Sequence, residues 1–138
     1  PFTASAAITA LQHMESSPKC VEQLQTNVAY MYEQLAKTEL PHLVVTSDER
    51  SPIVVLQLER ESVYEADITS GIMQECLQRG VAIVATAQDA SHHLRTELAP
   101  AIRTTISTLH TQEDIDKAIS ALAESAKIVT ARYPLDKA

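Results

Sequence analysis

Arg103 is the residue best suited to chemistry in this 138-residue sequence. It lies in the run Ala101-Ile102-Arg103-Thr104-Thr105, whose alternation predicts a strand. A guanidinium presents a planar fork that matches a carboxylate with two parallel hydrogen bonds, and it stays charged at any working pH. An ion pair at a strand end is the structural alternative. His110 follows the same strand and precedes Thr111. It could act near a substrate, but a structural place beside the helix cap is the favoured reading. His92 and His93 are adjacent, as metal ligands can be, but no third ligand stands at convincing spacing. They are read as part of a solvated loop. Cys20 and Cys76 are not at metal-ligand spacing either, and are read as buried thiols of a reducing compartment. No metal site is expected. His13 and His42 carry no signal, and Tyr30 and Tyr32 are read as packing residues. A hydrolytic triad is a matter of geometry that no spacing here suggests.

Composition excludes several classes. The chain carries 11 Lys and Arg against 18 Asp and Glu, for a net charge of -7. An acidic chain without a basic cluster is poorly suited to nucleic acid. Its 2 Gly build neither a phosphate cradle nor a dinucleotide fingerprint. With 45% hydrophobic and 21% charged residues it has the balance of a globular domain. No run approaches the roughly 18 apolar residues of a membrane span. Residues 1-138 are read as one domain. The opening Pro1-Phe2-Thr3, with no initiator Met, gives the expectation of a C-terminal fragment of a longer chain.

Periodicity supplies the elements that must hold Arg103. Ala6, Ala7, Ala10, Leu11 and Met14 predict a helix over 4–15. Pro18 starts a second helix to about Lys37 with Ser17 as its cap, and Val21, Leu24, Val28, Met31 and Leu35 form its stripe. His42 to Thr46 and Ile53 to Leu58 read as strands. The apolar run of the second suggests cover on both faces or a central place in a sheet. A third helix, 64–79, has Ile68, Ile72, Met73, Cys76 and Leu77 as its apolar positions, and Gly80 ends it in a left-handed conformation. Val81 to Ala85 and Ala101 to Leu109 are strands, separated by a surface loop over 88–100. Thr111 caps a last helix with Ile115, Ala118, Ile119, Leu122, Ala126 and Val129 on its buried face. The fold class is α+β: a small, mainly antiparallel sheet with helices packed on one face.

The run Leu109-His110-Thr111-Gln112-Glu113-Asp114-Ile115-Asp116, behind a strand with Arg, resembles the close of the C-terminal domain of the α-oxoamine synthases. These are fold type I pyridoxal-phosphate enzymes that join an amino acid to an acyl-CoA with loss of carbon dioxide. Pro1-Phe2-Thr3-Ala4-Ser5-Ala6-Ala7 resembles the helix start after that family's Ser-Leu-Pro-Pro turn, and Gly80-Val81-Ala82-Ile83 its helix-to-strand step. Within the family, Ser51-Pro52-Ile53-Val54-Val55-Leu56-Gln57-Leu58-Glu59 and Leu98-Ala99-Pro100-Ala101-Ile102-Arg103 are most similar to the lysine-less long-chain-base subunits of serine palmitoyltransferases. The loop from Gln88 to Glu97 lacks the Pro pair of the single-subunit enzymes, and the strand has one Arg where other synthases have Arg-x-Arg.

The resemblance implies pyridoxal phosphate in the full complex and none bound by this chain alone. None of Lys19, Lys37, Lys117, Lys127 and Lys137 stands in the cofactor-lysine context, so all five read as solvated and structural. It implies a lysine-bearing catalytic subunit as partner, and serine and palmitoyl-CoA as substrates giving 3-ketodihydrosphingosine. It also implies residence on the cytosolic face of the endoplasmic reticulum membrane through segments upstream. Arg103 would hold the amino-acid carboxylate, and His110 would stand near the substrate. A catalytic synthase of the aminooxononanoate or aminolevulinate type, and a non-catalytic interaction domain, are the alternatives.

Overall fold

A computed structural model describes residues 2–86 and 99–135. The order is α1 (Phe2–Ser16), α2 (Lys19–Lys37), β1 (Leu43–Val45), β2 (Ile53–Leu58), α3 (Glu65–Gln78), β3 (Val84–Thr86), β4 (Ala101–Thr105) and α4 (Gln112–Thr130). The four strands form one sheet in the order β1-β2-β4-β3, and every neighbouring pair is antiparallel. The α+β class with helices on one side of the sheet is the architecture expected of the sequence.

The register sorts the strand residues onto two faces, because side chains alternate along a strand. Leu56 lies opposite Ile102 and Val54 opposite Thr104. Val54, Leu56, Ile102 and Ile106 are buried and join one core with Ile68, Ile72 and Cys76 of α3, Val28 and Met31 of α2, and Ile115, Ile119 and Leu122 of α4. Helix α3 touches β3 and β4 directly, and α4 packs on α2 and α3. The other face carries Val44, Ile53, Val55, Val84, Arg103 and Thr105. Among the described residues, Ile53 is 42% and Val84 47% exposed. β2 is therefore central, one of the two places its apolar run allows, and the described residues cover only one of its faces.

Helix ends follow their local chemistry. Thr111 and Asp114 form a full capping box on α4: the Thr111 hydroxyl accepts from the Asp114 N–H, and the Asp114 carboxylate accepts from the Thr111 N–H. Gly80 has φ +74°. Its N–H donates to Leu77 O and that of Val81 to Cys76 O, the paired bonds of a Schellman ending. Four expectations are corrected. Ser17 does not cap α2: its N–H still donates to His13 O in the last turn of α1, and Pro18 stands at the cap position. β3 begins at Val84 rather than Val81, because the Schellman bond holds Val81 to the end of α3 and away from β4. Leu77 is exposed and does not join the stripe of α3. Cys76 is buried but Cys20 is only half-buried, so the second of the two expected buried thiols is corrected as well. Helix α1 buries none of its residues in the described chain, and Ile8, Leu11 and Met14 are exposed.

Candidate functional site

Arg103 stands in the middle of the open face of the sheet. Its cross-strand neighbours are Val55 on β2 and Val84 on β3. Its side is exposed, and among the described residues no carboxylate pairs with it. The other arginines with described contacts are engaged. Arg50 chelates Asp48 through its Nε and Nη2, and Arg79 bridges Glu75 and Glu124, with Arg132 also on Glu75. These pairs hold Asp48 down to about 2, chiefly through the Arg50 side-chain hydrogen bonds, and hold Glu75 below the ordinary carboxylate range, chiefly through Arg79. A guanidinium flanked by two valines on an uncovered sheet is available for a carboxylate from outside the described residues.

The same strand borders a groove of about 520 Å³. It opens where the segment 80–83 splays away from β4. Arg103, Thr104, Thr105 and Ile106 line one wall, Gly80 to Val84 the other, and Met31, His110, Asp114, Ile115 and Lys117 complete it. The structure thus brings Arg103 and His110, the two residues singled out in the sequence, to one groove. His110 is firmly placed. Its Nδ1 accepts the Ser107 N–H, and its carbonyl accepts from Asn27 Nδ2 at 2.9 Å. Asn27 Nδ2 also donates to Ser107 O at 2.9 Å.

Sequence reasoning missed Asn27. It is buried beside Val28 on the inner face of α2 and ties that helix to the turn after β4, 80 and 83 residues away. A polar residue on the apolar stripe was the available signal. Lys117, read from the sequence as solvated and structural, borders the groove as well, with its Nζ 3.7 Å from the place a Cβ on Gly80 would take. Tyr30 and Tyr32 do more than pack. Tyr30 donates to the Asp116 carboxylate and Tyr32 to Asp48 O, each bridging distant segments. The hydrogen bond to Asp116 is the main cause of the raised Tyr30 hydroxyl pKa. His92 and His93, with the loop 88–97, and Lys137 lie outside the described residues.

The described residues do not fit pyridoxal phosphate by themselves. The N–H groups of Gly80 and Val81, at the groove's one glycine, are spent on α3 carbonyls and cannot cradle a phosphate. The groove's carboxylate, Asp114, is engaged by the Thr111 cap, first by its backbone N–H and then by its hydroxyl, which keeps its pKa lowered. No step through that cofactor is derived from these residues. Among the described residues no group of His, Cys, Asp or Glu is placed to hold a metal ion. Among them too, no helix is long and apolar enough to cross a membrane.

No family model matches the sequence. Individual proteins do. Long chain base biosynthesis protein 1c of Oryza sativa subsp. japonica is 30% identical over 132 residues, which cover 94% of this chain and 27% of that protein. 8-Amino-7-oxononanoate synthase of Symbiobacterium thermophilum is 28% identical over 132 residues, covering 90% of this chain and 28% of that one. Among solved structures, the serine palmitoyltransferase of S. paucimobilis, bound to a PLP-myriocin aldimine, has the same fold at a TM-score of 0.67 and 17% identity. That match covers 89% of this chain and 28% of the other. The chain thus spans about a quarter of the length of the curated relatives it matches. Over that stretch it is similar in sequence to the long-chain-base and 8-amino-7-oxononanoate proteins, and it shares the fold of the serine palmitoyltransferase structure.

Proposed function

We propose that this chain is the small C-terminal domain of a serine palmitoyltransferase long-chain-base subunit. It would work with a lysine-bearing subunit that holds pyridoxal phosphate, and serve the condensation of serine with palmitoyl-CoA at the endoplasmic reticulum membrane. The observation that carries the reading is the open sheet face centred on Arg103. Val44, Ile53, Val55 and Val84 leave apolar surface there for another body to cover, and among the described residues Arg103 has no carboxylate partner at its centre.

The work of the chain's own residues follows from that placement. Once the face is covered, Arg103 holds the amino-acid carboxylate through two hydrogen bonds, in a setting drier and less screened than water. The guanidinium remains charged throughout, so it positions without exchanging a proton. Asn27 and the Ser107 N–H fix His110 at the end of the groove. A lysine-bearing subunit would hold the cofactor, which would supply the electron sink for carbon–carbon bond chemistry, and the residues of this chain would only bind and orient.

The test uses the complete two-subunit enzyme. Arg103→Ala should raise the KM for serine at least tenfold and leave the KM for the acyl-CoA within about twofold. Equal kinetics for both substrates would remove Arg103 from the site. The similarity to 8-amino-7-oxononanoate synthase supports a second reading, a catalytic synthase with its own lysine. A lysine in the cofactor motif of the adjoining sequence would decide for it.

A further inference from the structure

Among the described residues helix α1 stands apart. It spans 15 residues, buries none of them and adds nothing to the core. A helix of that length is marginal in water without packing. Its apolar residues nonetheless keep a strict spacing. Ala4, Ala7, Leu11 and Met14 recur at steps of three, four and three, the seam of a two-helix contact, and Ile8 flanks them. Ile8, Leu11 and Met14 are 55%, 60% and 47% exposed, so the seam lies open. Phe2 falls on the opposite side of the helix.

The seam is graded in size. Ala4 and Ala7 make its N-terminal half small, and Leu11 and Met14 make its C-terminal half large. A second α1 running antiparallel sets Leu11 against Ala7 and Met14 against Ala4, and the two-fold axis repeats both contacts. A parallel pair would face Ala with Ala and leave a gap there. Charge follows the same order. α1 has no acidic residue in its first turn, so the free N–H groups there keep their partial positive charge. Glu15, its one acidic residue, flanks the far end of the seam. Only the antiparallel arrangement brings it beside the first turn of the second copy. α1 has no Lys or Arg to oppose that contact.

We propose that α1 is a self-docking helix: two copies of this chain pair through the Ala4, Ala7, Leu11 and Met14 seams of antiparallel α1 helices. The contact covers on the order of 1,000 Å² in total, the lower end of specific interfaces, and gives a weak dimer with a Kd of about 10–100 µM. The open sheet face and Arg103 take no part in it. The inference rests on α1 alone, so its failure and that of the synthase reading are separable.

The experiment is sedimentation equilibrium of the 138-residue chain from about 5 to about 500 µM, a range that brackets the expected Kd. Monomer should pass to dimer across it. Leu11→Glu should abolish the dimer, and Phe2→Ser, off the seam, should leave its Kd within about twofold. Ala7→Leu should weaken it about tenfold by setting Leu against Leu. The double variant Ala7→Leu, Leu11→Ala should recover it, because each crossing again joins one large and one small residue. A chain that stays monomeric throughout would overturn the proposal. So would a dimer tightened by Ala7→Leu, the mark of a parallel pair. A dimer lost with Ile53→Glu but kept with Leu11→Glu would place the contact on the open sheet face and overturn it too. Since α1 buries nothing, Leu11→Glu should leave the urea midpoint of the monomer unchanged, which separates loss of pairing from loss of fold.

Discussion

The two faces of the sheet are made by alternate residues of the same strands, yet they have opposite fates. In β2, Val54 and Leu56 are fully buried on the helical side of the sheet, while Ile53, one residue before Val54, is 42% exposed. In β4, Ile102 is fully buried, while Arg103 is exposed. The helical face has the character of a finished core: large aliphatic side chains from six elements and few polar atoms. The other face has strand residues of similar hydrophobicity and no cover among the described residues, with a guanidinium at its centre. Burial is thus decided by what lies opposite a residue, and apolar type alone does not report it. A sheet face of this kind, left uncovered by the described residues with an exposed guanidinium at its centre, is the kind of surface that contact with another body would bury.

The largest test of this contrast is mutational. Leu56→Ala should cost about 2–5 kcal/mol in urea denaturation, because it removes buried methyl groups and leaves a cavity. Ile53→Ala, on the same strand, should cost about 1 kcal/mol or less. Equal losses would mean that the two faces are not different, and would break the comparison. Asn27→Ala should fall between them, at about 1–3 kcal/mol, because Ser107 O and His110 O lose their shared donor beneath the helices. A change in amide shifts at His110 without any loss of stability would place that contact outside the core.

The smallest effect lies in the surface electrostatics. Asp48 and Asp114 have lowered pKa values in the folded chain, Asp48 to about 2, from the donors of Arg50 and Thr111 respectively. A depressed carboxylate stabilises the fold above its unfolded value, about 4, and that contribution is lost as pH falls through the folded value. For Asp48 the window is therefore between about pH 4 and 2. The double variant Asp48→Asn, Asp114→Asn should lower Tm slightly at pH 6 and flatten its fall on acidification, the difference vanishing near pH 2. A parallel displacement of the whole curve would show that these carboxylates do not carry the acid limb.

Much of the fold was legible in the sequence because its signals are local. The bounds of β2 coincide with its apolar run, the Thr111 cap is where its side-chain chemistry puts it, and Gly80 is left-handed as expected at a helix end. The misses have a common cause. Val81 has the residue type of a strand, but its N–H is captured by Cys76 O, so β3 starts three residues later. Leu77 fits the helical period but finds nothing to pack on. Arg103 was legible as a candidate by its type and strand. Its flanking valines follow from strand register, which no single segment encodes.

By itself the sequence determined the class of the fold, the order of its elements and the residues able to bind an anion. Periodicity, capping and side-chain type act within a few residues, and they suffice for that. Only the tertiary structure decided which sheet face is covered, that segment 80–83 parts from β4 to open a groove, and that Asn27 holds His110 there. Those outcomes depend on contacts between residues as many as 83 positions apart, whose geometry is set when the chain packs.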